Sequence, residues 1–317
     1  MSFSSSRAAG SPPGAGLQPV SLKRKSRPGE AVIKGVLFTA AMISVVTTVG
    51  IVLTLMRPTL EFFGEVGLGE FLSGTRWSPG GSEAAFGVLP LVKATFLITA
   101  IALLVAVPVG LGAAMYLSEY ASPRVRRIFK PVLELLAGVP SVVYGFFALT
   151  VVTPWLLQDL LNFQVGFTNA LSAGLVLGVM IIPTVASLAE DAMSAVPLAL
   201  RQGSLAMGAN RMQTTIRVVF PAALSGIAAA IVLGLSRAVG ETMIVALASG
   251  SLPNMSLDPR DGMQAMTGYM ATTAGGESPV GSLDYNTLFA VGGLLFVITL
   301  VINTISITLV RRYRQEY

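Results

Sequence analysis

The chain has 317 residues, of which 53% are hydrophobic and 12% charged, and its formal net charge is +5. Because soluble domains carry about 25% charged residues, this composition predicts an integral membrane protein. The chain has no cysteine and no histidine, which excludes disulfides and thiolate chemistry and removes the commonest general base and metal ligand. Neither a metal site nor an enzyme is therefore predicted.

The positive charge is distributed as a membrane topology would distribute it. Of the 21 lysines and arginines, sixteen fall in segments predicted to be cytoplasmic, four outside and one within the membrane. This is the positive-inside pattern. The charge therefore indicates topology, and no nucleic-acid partner is predicted.

Residues 1–30 are rich in Ser, Pro and Gly and include a basic cluster from Lys23 to Arg27. Such a composition cannot build a core, so a disordered cytoplasmic tail beside the membrane lipid is predicted. Gly35–Met56 is free of charge and long enough to cross about 30 Å of hydrocarbon at about 1.5 Å per residue. The first span is predicted there, and the acidic, turn-rich stretch Arg57–Lys93 is predicted outside.

The second and third spans are predicted at Ala94–Leu117 and Pro131–Leu156. The third contains Gly138, Pro140 and Gly145, which would break a simple helix. Broken backbone at membrane depth is tolerated only inside protein or beside a water-filled cavity. Gly138, Pro140 and Ser141 are therefore predicted to form pathway backbone, with a plain proline kink as the alternative.

The fourth span is predicted at Asn169–Leu188. Its Gly174 and Gly178 have the G-x-x-x-G spacing, which allows two helices to approach closely.

A polar stretch, Leu198–Leu224, separates two apolar runs and carries three arginines, so it is predicted on the cytoplasmic face. Apolar residues recur at helical spacing around Leu205 and Met212, and Gly208 and Asn210 are typical of a turn. A short amphipathic helix along the membrane surface is predicted.

The fifth span, Ala222–Ala248, contains Arg237 and Glu241, which would share one helical face because they are four residues apart. A charge at mid-membrane depth costs about 2.5–3.5 kcal/mol. Two interpretations stay open: a structural ion pair, or a substrate path in which the guanidinium attracts an oxyanion. In the second, Glu241 neutralises Arg237 when the path is empty and accepts a hydrogen bond from a phosphate hydroxyl, which fully ionised sulfate lacks. The neighbouring Ser236 and Thr242 are predicted on the same path.

An outside loop, Gly250–Tyr285, and a sixth span, Thr287–Val310, complete the chain. The predicted fold is thus an all-α integral membrane protein with six transmembrane helices and both termini in the cytoplasm.

Four segments and one spacing carry a resemblance to a known family. The segments are GTRWSP, LAGVPSVVYGF, PTVASLAED and SRAVGETM. ABC-importer permeases carry E-A-A, three residues, Gly, nine residues, then I-x-L-P. Here Gln202, Gly203 and Ser204 occupy the E-A-A positions, and nine residues separate Gly208 from Val218–Pro221. From about Phe71 to Val310 the chain resembles the PstC-type permease subunits of phosphate ABC importers.

The resemblance implies the type I ABC-importer permease fold over residues 91–311, after a first transmembrane helix and external loop at 31–90 and before a cytoplasmic tail at 312–317. It implies a coupling helix near residues 198–217 that docks on a separate ATPase. The coupling residues would be Gln202, Gly203, Ser204, Gly208, Ala209 and Pro221, in which Gln202 departs from the family glutamate.

The implied partners are a PstA-type second permease, a PstB-type ATPase dimer and a PstS-type external phosphate-binding protein. The external loops Arg57–Pro90 and Gly250–Tyr285 are candidates for docking the binding protein. No G-x-x-x-x-G-K-[ST] phosphate loop occurs in the sequence, so ATP and Mg²⁺ are assigned to the partner ATPase and no cofactor is expected in this chain.

The predicted function is ATP-driven import of inorganic phosphate across the bacterial cytoplasmic (inner) membrane by alternating access. A permease for sulfate or molybdate, or a PstA-like subunit, is the nearest alternative. A secondary transporter, a channel and a membrane sensor or scaffold are alternatives from other classes.

Overall fold

The computed structural model describes residues 28–81, 83–276, 279 and 281–312. The chain divides into two compact units, one ending at Ile51 and one beginning at Val52. The described part of the first unit is the opening half of helix α1, Pro28–Glu65. Apolar side chains cover this half on all sides, which is typical of a helix in lipid.

Helix α1 is longer at both ends than the predicted span Gly35–Met56. It takes in residues 28–30 of the predicted tail, while residues 1–27 lie outside the described residues. Beyond Met56 the helix continues, and Arg57 Nε pairs there with Glu61 Oε1 at 3.2 Å, one turn on. Part of the predicted external loop is therefore helical.

The remaining elements belong to the second unit. In chain order they are α2 (Leu68–Ser73), β1 (Trp77–Ser78), β2 (Ala85–Phe86), α3 (Leu89–Met115), α4 (Pro123–Ala137), α5 (Ser141–Phe147), α6 (Ala170–Ser194), α7 (Leu198–Ala206), α8 (Arg211–Thr214), α9 (Phe220–Ala222), α10 (Leu224–Val239), α11 (Met243–Ala248), α12 (Met266–Ala274) and α13 (Leu283–Arg312). Wider π-helical turns continue three of these helices, at Tyr116–Tyr120, Ala148–Leu160 and Thr215–Val219.

Helices α3 and α6 form the centre of the second unit and pack together more extensively than any other described pair. Their contact is close because Gly174 faces the Ile101 side chain and Gly178 faces the backbone of Ala102. The G-x-x-x-G spacing thus lies at a real helix contact. Small residues such as Ala102 and Ala173 are fully buried there.

Replacing Gly178 by valine is expected to destabilise the protein by about 2 kcal/mol, the usual scale of overpacking a close contact. A Cβ at this position would lie 2.8 Å from the Ala102 carbonyl oxygen and 2.9 Å from Val105 Cβ. Gly112→Val is the matched control, because nothing lies within 4 Å of a Cβ there. Thermal unfolding in detergent checks the prediction, and equal melting temperatures for the two variants would contradict it.

The third span differs from the prediction Pro131–Leu156. Residues 131–137 belong to α4, an amphipathic helix with no buried residue, and the membrane-length helix runs from Ser141 to Leu160. The chain breaks between them because a residue that precedes proline, here Val139, disfavours helical backbone. The predicted break at Gly138 and Pro140 is confirmed, and the span begins ten residues later than predicted.

The fourth and fifth spans also differ in detail. Helix α6 continues to Ser194, six residues past the predicted end, so Glu190 and Asp191 lie on it. The fifth span, predicted as continuous from Ala222 to Ala248, is interrupted between Val239 and Met243.

Five described helices are long and apolar enough to cross a membrane, and a sixth span arises if the bent pair Arg211–Ala222 and Leu224–Val239 counts as one. Helix α10 has 16 residues, so at about 1.5 Å per residue it covers about 24 Å, less than a bilayer core of about 30 Å. The fifth crossing therefore has to include a bend or a break.

At one end of the second unit, an aromatic cluster holds the β1–β2 hairpin against α3, α12 and α13. Trp77 stacks edge-on against Tyr269 with ring centroids 5.0 Å apart, and Phe62, Phe71 and Phe86 are buried beside them. The predicted outside segments thus carry ordered structure that packs on the spans.

Candidate functional site

Arg237 lies in the last turn of α10, just before the helix breaks. Its guanidinium is exposed and donates a long hydrogen bond, 3.4 Å, to Thr184 Oγ1 on α6. Helices α10 and α6 therefore contribute an exposed cation and a hydroxyl to the same place.

Glu241 does not share a helical face with Arg237, because α10 ends at Val239 and Gly240 closes it. The Glu241 carboxylate turns instead to α11, where Oε1 accepts from the backbone N–H groups of Met243 at 3.1 Å and Ile244 at 3.5 Å. Within the described residues no ion pair joins Glu241 to Arg237. The expected shared face is wrong, since it assumed an unbroken helix.

The two chain breaks lie on neighbouring helices. Gly145 of α5 packs against the α11 backbone, where an added Cβ would lie 3.1 Å from Met243 O. The Tyr144 hydroxyl donates to Leu136 O at 3.0 Å and so ties α5 to the end of α4. This contact spans the break that contains the predicted pathway residues Gly138, Pro140 and Ser141.

Ser236 and Thr242, the other predicted path residues, point their hydroxyls to different partners. Ser236 Oγ lies 2.5 Å from Asn303 Oδ1 and so links α10 to α13. Thr242 Oγ1 donates to Gly240 O at 3.3 Å within the break. Neither hydroxyl joins the hydrogen bond between Arg237 and Thr184, and the assignment of both residues to a substrate path stays a prediction.

Sequence reasoning did not single out Thr184 or Tyr144 as site residues. Both lie in segments that carry the family resemblance, PTVASLAED and LAGVPSVVYGF. Each hydroxyl stands within a predicted span, and a polar group at membrane depth is a signal that could have marked them.

The predicted amphipathic helix is α7, and the predicted turn follows it. Gly208 has φ +88° with nothing within 4 Å of an added Cβ, a backbone state that suits glycine. Asn210 then caps α8 through a reciprocal pair of hydrogen bonds with Gln213. Side chains around the turn are exposed, and Met207 reaches 89% exposure.

The predicted coupling residues divide into an exposed and a half-buried set. Gln202, Gly203, Gly208 and Pro221 are exposed, and Ser204 and Ala209 are half-buried. Ser204 Oγ and Thr214 Oγ1 lie 2.9 Å apart and join α7 to α8. The exposed residues form a surface that another protein can contact, next to the apolar side chain of Met207.

A cluster of charges lies at the same end of the bundle, where α4 meets α6. The Glu190 side chain is 2% exposed and is paired with Arg126 and with Lys130 Nζ, the latter at 3.1 Å. Ser194 Oγ donates to Glu190 at 2.8 Å. Lys130 also pairs with Asp191 at 2.6 Å, and this hydrogen bond, with help from Glu190, raises the Lys130 pKa above its ordinary value of 10.5.

The described residues contain no group of three or more His, Cys, Asp or Glu side chains that could hold a metal ion. The polar groups of the site are hydroxyls and the exposed guanidinium of Arg237, and these groups suit the binding of an oxyanion.

Comparison with known proteins identifies the family to which this fold belongs. The chain is 37% identical to the probable ABC transporter permease protein YqgH of Bacillus subtilis (strain 168), over 82% of this chain and 84% of the relative. It is 34% identical to the phosphate transport system permease protein PstC 1 of Mycobacterium tuberculosis (strain ATCC 25618 / H37Rv), over 85% of this chain and 90% of the relative.

Among solved structures, a chain of a bacterial alginate ABC transporter matches with a TM-score of 0.64 at 14% identity, over 91% of this chain and 96% of that one. This likeness confirms the predicted ABC-importer permease fold. Residues 106–315 match the family model described as binding-protein-dependent transport system inner membrane component. The chain is therefore a member of that family, a multi-pass permease of the inner membrane.

Proposed function

We propose that this chain is the membrane-spanning subunit of an ATP-driven importer of inorganic phosphate. The observation that carries the proposal is the exposed Arg237 guanidinium that donates to Thr184, in a chain similar over most of its length to a protein named for phosphate transport. A charge within a membrane span costs about 2.5–3.5 kcal/mol, so a charge that is retained there indicates a function. Binding a passing oxyanion is such a function.

At this site phosphate would be bound by charge and by hydrogen bonds. The guanidinium presents N–H donors in a planar fork that matches two oxyanion oxygens, and the hydroxyl of Thr184 offers a further donor. Glu241, held next to the break by the α11 amides, would accept a hydrogen bond from a phosphate hydroxyl. Because fully ionised sulfate has no such proton, this carboxylate would favour phosphate.

The end of the bundle that carries α4, α7 and α8 would face the cytoplasm. Its basic side chains, Arg124, Arg126, Arg127, Lys130, Arg201, Arg211 and Arg217, follow the positive-inside rule. An ATPase would contact the exposed α7 surface and the turn at Gly208, and it would supply the hydrolysis that this chain lacks.

A second, related permease would cover the exposed apolar face of α4 and α5. Large side chains there, including Leu135 at 73% and Phe146 at 63% exposure, flank the break at Gly138 and Pro140. With this arrangement the path would run between two permeases. An external phosphate-binding protein would deliver its ligand at the opposite end, where the loops around β1–β2 and α12 lie.

ATP hydrolysis by the purified complex tests the proposal. The chain is co-expressed with its neighbouring permease and ATPase subunits, reconstituted in vesicles and exposed to the phosphate-loaded binding protein. We expect hydrolysis to rise with phosphate and not with sulfate or molybdate, because only phosphate keeps a hydroxyl for Glu241. Equal stimulation by sulfate would reject the phosphate assignment, and transport by this chain without an ATPase would reject the importer class.

A further inference from the structure

Arg201 of α7 holds three parts of the chain with one guanidinium. Nε and Nη2 donate to Glu119 Oε1 at 3.2 and 3.0 Å. Nη1 donates to Val196 O at 2.6 Å, and Nη2 also donates to Met193 O at 2.7 Å. Glu119 lies in the π-helical turn that ends the second span, and the two carbonyls lie at the end of α6. Arg201 therefore joins α7 to the ends of two spans.

The surroundings make this joint stronger than a surface ion pair. The Arg201 side chain is 17% exposed and the Glu119 side chain 10%, so water screens their attraction weakly. The carbonyls at the C-terminal end of α6 carry the negative end of the helix dipole and favour the same cation. Only the planar fork of arginine reaches three acceptors at once.

Helix α7 has little else to hold it to α3 and α6. None of its side chains is fully buried, and among them Leu200 packs against the core beneath α7. The contact between Ser204 and Thr214 ties α7 to α8, which belongs to the bent fifth crossing and not to α3 or α6. A displacement of α7 is therefore passed to α3 and α6 mainly through Arg201.

We propose that Arg201 and Glu119 are positioning residues that transmit the movement of α7 to the second and fourth spans. The inference rests on the proposed function in one respect, namely that an ATPase moves α7. Since α3 and α6 pack tightly along their length, the two spans would move together. Helix α6 carries Thr184, the hydrogen-bond partner of Arg237, so the movement would reach the substrate site.

The number of phosphate ions transported per ATP hydrolysed tests this role in vesicles that contain the whole complex. We expect Glu119→Gln to lower this ratio roughly fivefold or more, the scale of a coupling between distant sites. Adding Glu119→Gln to Arg201→Gln should lower it no further, because the two side chains act as one unit. Glu119→Asp keeps the carboxylate and should recover part of the ratio.

Asp191→Asn is the control, since it removes a carboxylate from an exposed pair with Lys130 at 2.6 Å, and its ratio should equal that of the wild type. A wild-type ratio in Glu119→Gln overturns the inference. So does a parallel loss of transport and hydrolysis with a lower melting temperature, which indicates a purely structural role. Phosphate import by the wild-type complex tests the proposed function separately. If the wild type transports phosphate and Glu119→Gln has the same ratio, only the coupling role is rejected.

Discussion

Replacing Arg237 by alanine is expected to lower phosphate uptake by about a hundredfold or more. The guanidinium would make at least two charge-assisted hydrogen bonds to the passing anion, each worth about 1.5–3 kcal/mol. Together they amount to about 3–6 kcal/mol, and each 1.4 kcal/mol is a factor of ten. Because Arg237 is exposed and its hydrogen bond to Thr184 is long, the fold itself should tolerate the change.

Uptake of labelled phosphate by cells that depend on this transporter measures the effect. Arg237→Lys keeps the charge but not the fork, so it should retain more uptake than alanine does. Lys34→Ala removes an exposed cation from α1 and serves as the control for charge. If Arg237→Ala transports as well as Lys34→Ala while the complex assembles normally, Arg237 does not contact the substrate.

The approximate positions of the spans and the helix break at Pro140 could be predicted from the sequence because their causes are local. A run of apolar residues sets a membrane helix wherever it occurs, and Pro140 disfavours helical backbone at Val139 whatever surrounds it. The same holds for the turn at Gly208, since a residue with φ +88° favours glycine irrespective of its neighbours.

The arrangement of polar groups around the site could not be predicted from the sequence, because tertiary packing brings these groups together. Helical spacing placed Glu241 beside Arg237, but the backbone breaks at Gly240 and turns the carboxylate towards α11. Helix α5 packs on α11 at Gly145, a contact that no spacing within either segment indicates. The charged partners of Arg201 and Glu190 lie 60 or more residues away in the sequence, so charge patterning shows the ions and not their pairing.

Glu190 yields the second large effect, on stability. Replacing it by alanine leaves Arg126 and Lys130 without their common carboxylate. Removing one partner of a buried ion pair costs about 3–5 kcal/mol. Because the Arg126 and Lys130 side chains are 39% and 32% exposed, water recovers part of this, and we expect a loss of about 3 kcal/mol. Thermal unfolding in detergent should show a fall in Tm of about 5 °C or more.

Asp191→Asn is the control at the next position. Asp191 pairs with the same Lys130, but its side chain is 55% exposed, so its replacement should cost less than about 1 kcal/mol. The raised Lys130 pKa adds a check on pH. Because the folded-state pKa of Lys130 lies above the unfolded value of 10.5, the contribution of Lys130 to stability is complete below pH 10.5. This contribution is lost only as the pH rises through the folded-state pKa. The difference between Glu190→Ala and the wild type should therefore stay constant from about pH 7 to pH 9. A loss for Asp191→Asn as large as that for Glu190→Ala would mean that burial of the carboxylate does not determine the stability of this cluster.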